Sequence, residues 1–207
     1  MQTLHVDDAQ ALTVAVASLR TGQVVVVPTD TVYGLAARPD DEEAVRTIFR
    51  AKGRPMDVHL PVMAASLDQV RPLGVTISPA GAALAARWWP GPLTLAFGFD
   101  PDGSRPAWLA ERQEVAVRVP DHDFLRAVLA RTGVLLVTSA NPHGSATPPG
   151  PDEVAQTLAP HVGLIIDGGT LATTPSTLVN VAGVDPVVER EGALSKVEIA
   201  RALEGVR

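Results

Sequence analysis

Apolar residues recur at helical spacing at Ala9, Leu12, Val16 and Leu19. They predict a helix over 7–20, opened by Asp7 and Asp8 and stopped by Gly22. The next apolar run, Val24-Val25-Val26-Val27, is entirely β-branched and predicts a strand buried on both faces. It empties into the polar stretch Pro28-Thr29-Asp30-Thr31-Val32-Tyr33-Gly34. A second helix is predicted over 42–51, after Asp40-Asp41. Residues 59–63 read as a strand that Pro61 would confine to a sheet edge. A third helix, 79–88, has proline in its first turn and is broken by Pro90-Gly91-Pro92. Short apolar runs then predict strands over 93–97, 115–119, 134–137, 164–166, 177–181 and 187–189. Helical spacing returns over 124–131, 152–158 and 195–203, the last with Ser195 and Glu198 in capping-box spacing. Strands alternating with helices predict an α/β fold on a mixed sheet.

Composition narrows the class. The chain has 207 residues, 46% of them apolar, enough for a substantial core. The Pro/Gly-rich stretch 142–151 reads as a linker or as a functional loop. The segment C-terminal to it is too short for a core of its own, so we expect one domain over 1–207. Cysteine is absent, which excludes disulfides and thiolate metal sites. The N-terminus carries early acidic residues and no secretory pattern, and no apolar run approaches the ~20 residues of a membrane span. A cytoplasmic protein with no membrane association is therefore expected. The net charge of −6 argues against sequence-blind nucleic-acid binding, which needs a dominant positive field. A local basic cleft remains compatible with it.

Two polar clusters carry the candidate chemistry. Lys52-Gly53-Arg54-Pro55 puts two cations on a turn rather than in a regular helix. Thr138-Ser139-Ala140-Asn141-Pro142 comes after the apolar run ending at Val137, where a buried strand ends and α/β folds bind ligands. Together they make a phosphate or carboxylate site. Each feature also has a plainer reading. Lys52 and Arg54 are equally read as solvated cations at a helix end, and Ser139 and Asn141 as turn residues. The hydroxyls of 28–34 can cap local backbone, and Trp88-Trp89 reads as a core plug. Strand alternation sets Arg118 opposite Val117 and Val119, either paired with an anion or on an exposed face. Arg190, between Glu189 and Glu191, reads by default as an exposed ion pair. The five histidines have no metal-ligand spacing. No Ser-His-Asp arrangement is legible, and neither Gly-rich phosphate loop occurs.

In their joint order, Pro28-Thr29-Asp30-Thr31-Val32-Tyr33-Gly34-Leu35, Ile48-Phe49-Arg50-Ala51-Lys52-Gly53-Arg54-Pro55, Trp89-Pro90-Gly91-Pro92-Leu93-Thr94, Val115-Ala116-Val117-Arg118-Val119-Pro120, Ser139-Ala140-Asn141, Asp167-Gly168-Gly169 and Arg190-Glu191-Gly192 are similar to those of the YrdC/Sua5 family. The resemblance runs from about residue 10 to about residue 203. It implies a YrdC-like twisted open mixed sheet with flanking helices and a concave, basic cleft. It also implies a short form without the additional C-terminal Sua5 domain. The activity implied is threonylcarbamoyl-AMP synthesis, a nucleotidyl transfer using L-threonine, bicarbonate and ATP with Mg2+ and releasing pyrophosphate. The product feeds the N6-threonylcarbamoyl modification of adenosine in ANN-decoding tRNAs, reached directly or through a separate transferase complex.

Residue by residue, the resemblance assigns the catalytic and ATP-binding tetrad to Lys52, Arg54, Ser139 and Asn141. It adds Arg190 for the nucleotide, and Thr31, Arg118, Thr138 and Ser176 for threonine. No protein residue is implied as a metal ligand. A bidentate arginine suits an amino-acid carboxylate. Lys52, Arg54 and Arg190 suit the charge that develops on phosphates. Two departures fall on the amino-acid half. Val58 and Met63 stand where the family has Asn and His, with His59 four residues early. Pro175 stands where the family has an acidic residue. They leave open a different acceptor amine; a third reading, a non-catalytic RNA-binding paralogue, is opposed by the intact Lys52, Arg54, Ser139 and Asn141 set and by the acidic net charge.

Overall fold

A computed structural model of the chain describes residues 1–56 and 58–206. In chain order the elements are β1 (Gln2–His5), α1 (Ala11–Arg20), β2 (Val25–Val27), β3 (Gly34–Ala37), α2 (Glu42–Lys52), β4 (Val62–Met63), α3 (Leu67–Val70), α4 (Pro79–Trp88) and β5 (Leu93–Gly98). They continue with β6 (Glu114–Arg118), α5 (Asp123–Thr132), β7 (Leu135–Ser139), α6 (Pro151–Leu158), β8 (Leu164–Asp167), β9 (Thr177–Asn180), β10 (Val187–Arg190) and α7 (Lys196–Ala202). The ten strands form one open mixed sheet in the order β1-β8-β2-β3-β7-β4-β6-β5-β9-β10.

Helices cover both faces of this sheet, which explains the all-valine β2. Val26 joins the core beneath α2, α4, α6 and α7, with Ile48, Leu84, Val154 and Ile199. Val25 and Val27 face the other way, into a core closed by Val16 and Leu19 of α1 and Leu125 and Leu129 of α5. The second core reaches only part-way along the sheet. Past β7, the α1/α5 side carries Met63, Thr94, Ala96, Ala116, Arg118 and Leu178, and these line a cleft of about 600 Å³. The cleft is therefore the part of the sheet face that α1 and α5 leave open.

Three features differ from the sequence expectation. Helix α1 begins at Ala11, because Asp8 instead closes the turn after β1: its carboxylate accepts from the His5 N–H at 2.9 Å and its carbonyl from the Ala11 N–H at 2.9 Å. Strand β4 is central, between β7 and β6. Pro61 precedes its first residue and costs the ladder no donor, while its carbonyl accepts from Val137 N–H at 3.0 Å. Strands β1 and β3 were not foreseen. β3 reads Gly-Leu-Ala-Ala, a low-β-propensity stretch made a strand by its neighbours β2 and β7. Gly34 is required there, since a Cβ would sit 2.6 Å from Val137 Cγ1. The Trp pair is the plug anticipated: the Trp89 indole N–H donates to Leu93 O at 2.7 Å and its ring meets Phe97 edge-on.

Tyr33 ties the strand exit to the loop after β8. Its buried hydroxyl donates to Gly169 O at 2.7 Å and accepts from Gly168 N–H at 3.0 Å. Tyr33→Phe removes both bonds and fills no new space. A loss of about 1–3 kcal/mol is expected, read as a lower urea midpoint at unchanged m-value.

Candidate functional site

One end of the cleft is built by the end of α2. Asp41 caps the helix start through Ala44 N–H. Gly53 ends the helix in the left-handed region, φ 59°, with Gly53 N–H on Arg50 O and Arg54 N–H on Phe49 O, both at 3.1 Å. That reversal sets Lys52 and Arg54 on the cleft wall. Lys52 is only 4% exposed. Its Nζ donates to the carbonyls of Ser139, at 2.6 Å, and Asn141, at 2.8 Å. The Ser139 hydroxyl and the Asn141 side-chain oxygen stand farther off, at 3.5 and 3.4 Å. Burial, and then the neighbouring Arg54, lower the Lys52 pKa to about 8. Asn141 in turn organises the loop after β7: Nδ2 donates to Pro142 O and Ser145 O, and Oδ1 accepts from Thr147 Oγ1.

The other end forms where the β2–β3 loop meets β6. Thr29 Oγ1 donates to Val32 O at 2.7 Å and accepts the N–H groups of Thr31 and Val32. Its proton is thus spent, so at 3.1 Å the Thr31 hydroxyl must donate to it. Thr31 Oγ1 is left to accept from Arg118 Nη1, at 2.7 Å. Arg118, 3% exposed, also donates through Nε to Gly91 O and through Nη2 to Asp30. Gly91 is needed for this approach, since a Cβ would meet Trp88 O. Burial lowers the Arg118 pKa while Asp30 opposes the shift, and a guanidinium stays charged. Arg118 is therefore a buried ion-paired cation and not part of an exposed strand face.

The cleft is also lined by Thr138 of β7, Ser176 just before β9 and Arg190 of β10. Ser176 Oγ shares a 2.8 Å bond with Thr94 Oγ1. Arg190 donates to Ser176 O, at 2.9 Å from Nη2, and to Ser176 Oγ at 3.2 Å. It is not held by its sequence neighbours: Glu189 accepts from Asn180, and Glu191 from the Lys196 N–H. A register shift between Val188 and Arg190 allows Glu189 and Arg190 both to reach the cleft. Partial burial against Ser176, then nearby Arg118, lower the Arg190 pKa, while the residue as a whole stays exposed.

All nine residues expected at the site, Thr31, Lys52, Arg54, Arg118, Thr138, Ser139, Asn141, Ser176 and Arg190, line this one cleft. Val58, His59 and Met63 line it too. Sequence reasoning missed Asp30, Thr94 and Glu114. Asp30 had a signal, a carboxylate between two threonines at a strand exit. Thr94 and Glu114 had none, because their neighbours are fixed only by sheet register. Among the described residues four cations face two carboxylates, Glu114 and Glu189, and both carboxylates are bonded to Asn180 Nδ2. Such a cleft favours an anionic ligand.

The Sua5/YciO/YrdC family profile, described as "Telomere recombination", matches residues 17–192. The chain belongs to this family. A Bacillus subtilis relative named threonylcarbamoyl-AMP synthase is 37% identical over 187 residues, 89% of this chain and 54% of its own length. A relative of the same name from Pyrococcus abyssi is 36% identical over 196 residues, 94% of this chain and 57% of its own. The chain thus spans little more than half the length of these two family members. The crystal structure of P. abyssi Sua5 complexed with L-threonine superposes with a TM-score of 0.88 at 33% identity, covering 100% of this chain and 61% of that one.

Asn141→Ala deletes three bonds that fold the loop back onto the cleft. Hydrogen exchange at Ser145 and Thr147 is expected to quicken by about tenfold or more, with the β7 amides unchanged.

Proposed function

We propose that the protein is a threonylcarbamoyl-AMP synthase, a nucleotidyltransferase acting in the cytoplasm as one YrdC-like domain over 1–207. The observation that carries this reading is the union of two cation-bearing polar clusters in one cleft. Lys52, Arg54, Ser139 and Asn141 form one, Thr31, Arg118, Thr138 and Ser176 line the same cleft, and Arg190 bonds to Ser176. The names of the relatives and the threonine complex of P. abyssi Sua5 support it. So does the single sheet shared by all ten strands. No helix among the described residues is long and apolar enough to cross a membrane.

In this reading Arg118 takes the carboxylate of L-threonine, as a guanidinium fork suits. The threonine amine and bicarbonate give a carbamate and water. A carbamate oxygen attacks the α-phosphorus of ATP, the bond to the β-phosphate oxygen breaks, and pyrophosphate leaves. No protein nucleophile takes part. Lys52, Arg54 and Arg190 stabilise the phosphoryl charge, which the cleft's excess of cations favours. Among the described residues no three His, Cys, Asp or Glu come together to hold a metal. Mg2+ enters as part of the MgATP substrate. The adenylate then passes to a tRNA, directly or through a transferase complex.

One observation favours a second acceptor. Met63 pairs in register with Arg118 and lines the cleft, so a thioether stands beside the carboxylate site. An amine less polar than threonine fits that wall.

The test is pyrophosphate release from MgATP, with bicarbonate and each amino acid in turn. Release that requires bicarbonate and threonine is expected. Preference for another amine selects the second acceptor, and no release with any amine rejects both. The rate is expected to fall as pH rises through about 8, where Lys52 loses its proton. Lys52→Ala or Arg54→Ala is expected to cost on the order of a hundredfold or more.

A further inference from the structure

The ion pair behind Arg118 has no role in the proposed chemistry. A guanidinium has five N–H groups. Among the described residues Arg118 commits three, one from each nitrogen: Nε to Gly91 O, Nη1 to Thr31 Oγ1, and Nη2 to Asp30 Oδ1. One N–H remains on each of Nη1 and Nη2. The three partners come from two separate segments, the 90–92 turn and the β2–β3 loop. Such triple anchoring is more than a counterion needs. It fixes the plane of the fork before any ligand arrives.

Asp30 is the charged member of this anchor, and it sits outside the cleft lining. Its side chain is 13% exposed against 4% for that of Arg118. Oδ2 is buried and has no hydrogen-bond partner among the described residues. Carboxylates buried for structural reasons normally satisfy both oxygens. Among the described residues this one accepts a hydrogen bond from Arg118 alone. Two other ionisable groups feel the pair: His122 lies near Asp30, and Arg190 near Arg118.

We infer that Asp30 is a positioning residue, which holds the Arg118 guanidinium so that its two uncommitted N–H groups meet an incoming carboxylate. That the carboxylate belongs to the amino-acid acceptor rests on the function proposed above. Asp30 acts through Arg118 and touches no substrate. Its negative charge opposes an anionic ligand, so its presence is explained by orientation outweighing that repulsion.

Asp30→Asn and Asp30→Glu in the full chain decide the point. Calorimetry with L-threonine and, separately, with ATP is the first readout. Asp30→Asn is expected to raise the threonine Kd by about tenfold or more and the ATP Kd by less than about twofold, with Asp30→Glu recovering much of the loss. Threonine binding that is unchanged or tighter in Asp30→Asn would overturn the inference, since the carboxylate would then be a competitor. Equal loss of threonine and ATP would also overturn it, as a general structural defect. The second readout needs no substrate: the Arg118 Nη protons in the 1H–15N NMR spectrum. Separate signals in the wild type that merge in Asp30→Asn support a held fork, and signals that stay separate reject it. If the wild type binds no threonine, the acceptor assignment fails, and the NMR comparison still decides the role of Asp30.

Discussion

The cleft depends on one buried ammonium. Lys52 closes the end of α2 and holds the carbonyls of Ser139 and Asn141 at the end of β7, 87 and 89 residues along the chain. The contact fixes the helix end to the sheet, and the Lys52 carbonyl adds a second tie by accepting the His143 N–H at 2.7 Å. Its charge is spread over backbone dipoles and, among the described residues, no carboxylate pairs with it, so in the proposed reaction Lys52 can still favour a phosphate. The cost is burial, which brings its pKa down towards the working range.

The same logic runs through the rest of the site. Arg190 is held by the backbone and hydroxyl of Ser176, not by its acidic neighbours. The two cleft carboxylates are occupied by Asn180. Arg118 has a close counterion in Asp30 and is only 3% exposed, where an unpaired charge would be costly. Electrostatics thus divides the cleft. In the proposed reaction Lys52 and Arg190 serve the phosphates, and Arg118 is the cation fixed in direction.

Much of this was legible in the sequence because it rests on local rules. Apolar runs such as Val24 to Val27 and Leu93 to Phe97 announced their strands, and Ser195 and Glu198 form the capping box their spacing implied. The Lys52 and Ser139 clusters were visible because both lie at element ends. What escaped depends on tertiary neighbours. β3 has no apolar alternation and becomes a strand only between β2 and β7. β4 looked like an edge because Pro61 was read as part of it. Arg118 could be assigned to a face from alternation, but whether that face was covered depended on where α1 and α5 stop. The Thr94–Ser176 contact arises from the pairing of β5 with β9, which no local pattern encodes.

The central claim is that one cleft joins a carbamate, not a bare amino acid, to AMP. 13C-bicarbonate supplied with threonine and MgATP tests it directly by NMR. A 13C signal split by the α-phosphorus, appearing only when all three substrates are present, is expected. Pyrophosphate release without 13C in the adenylate would contradict the account and make the reaction an ordinary carboxylate adenylation.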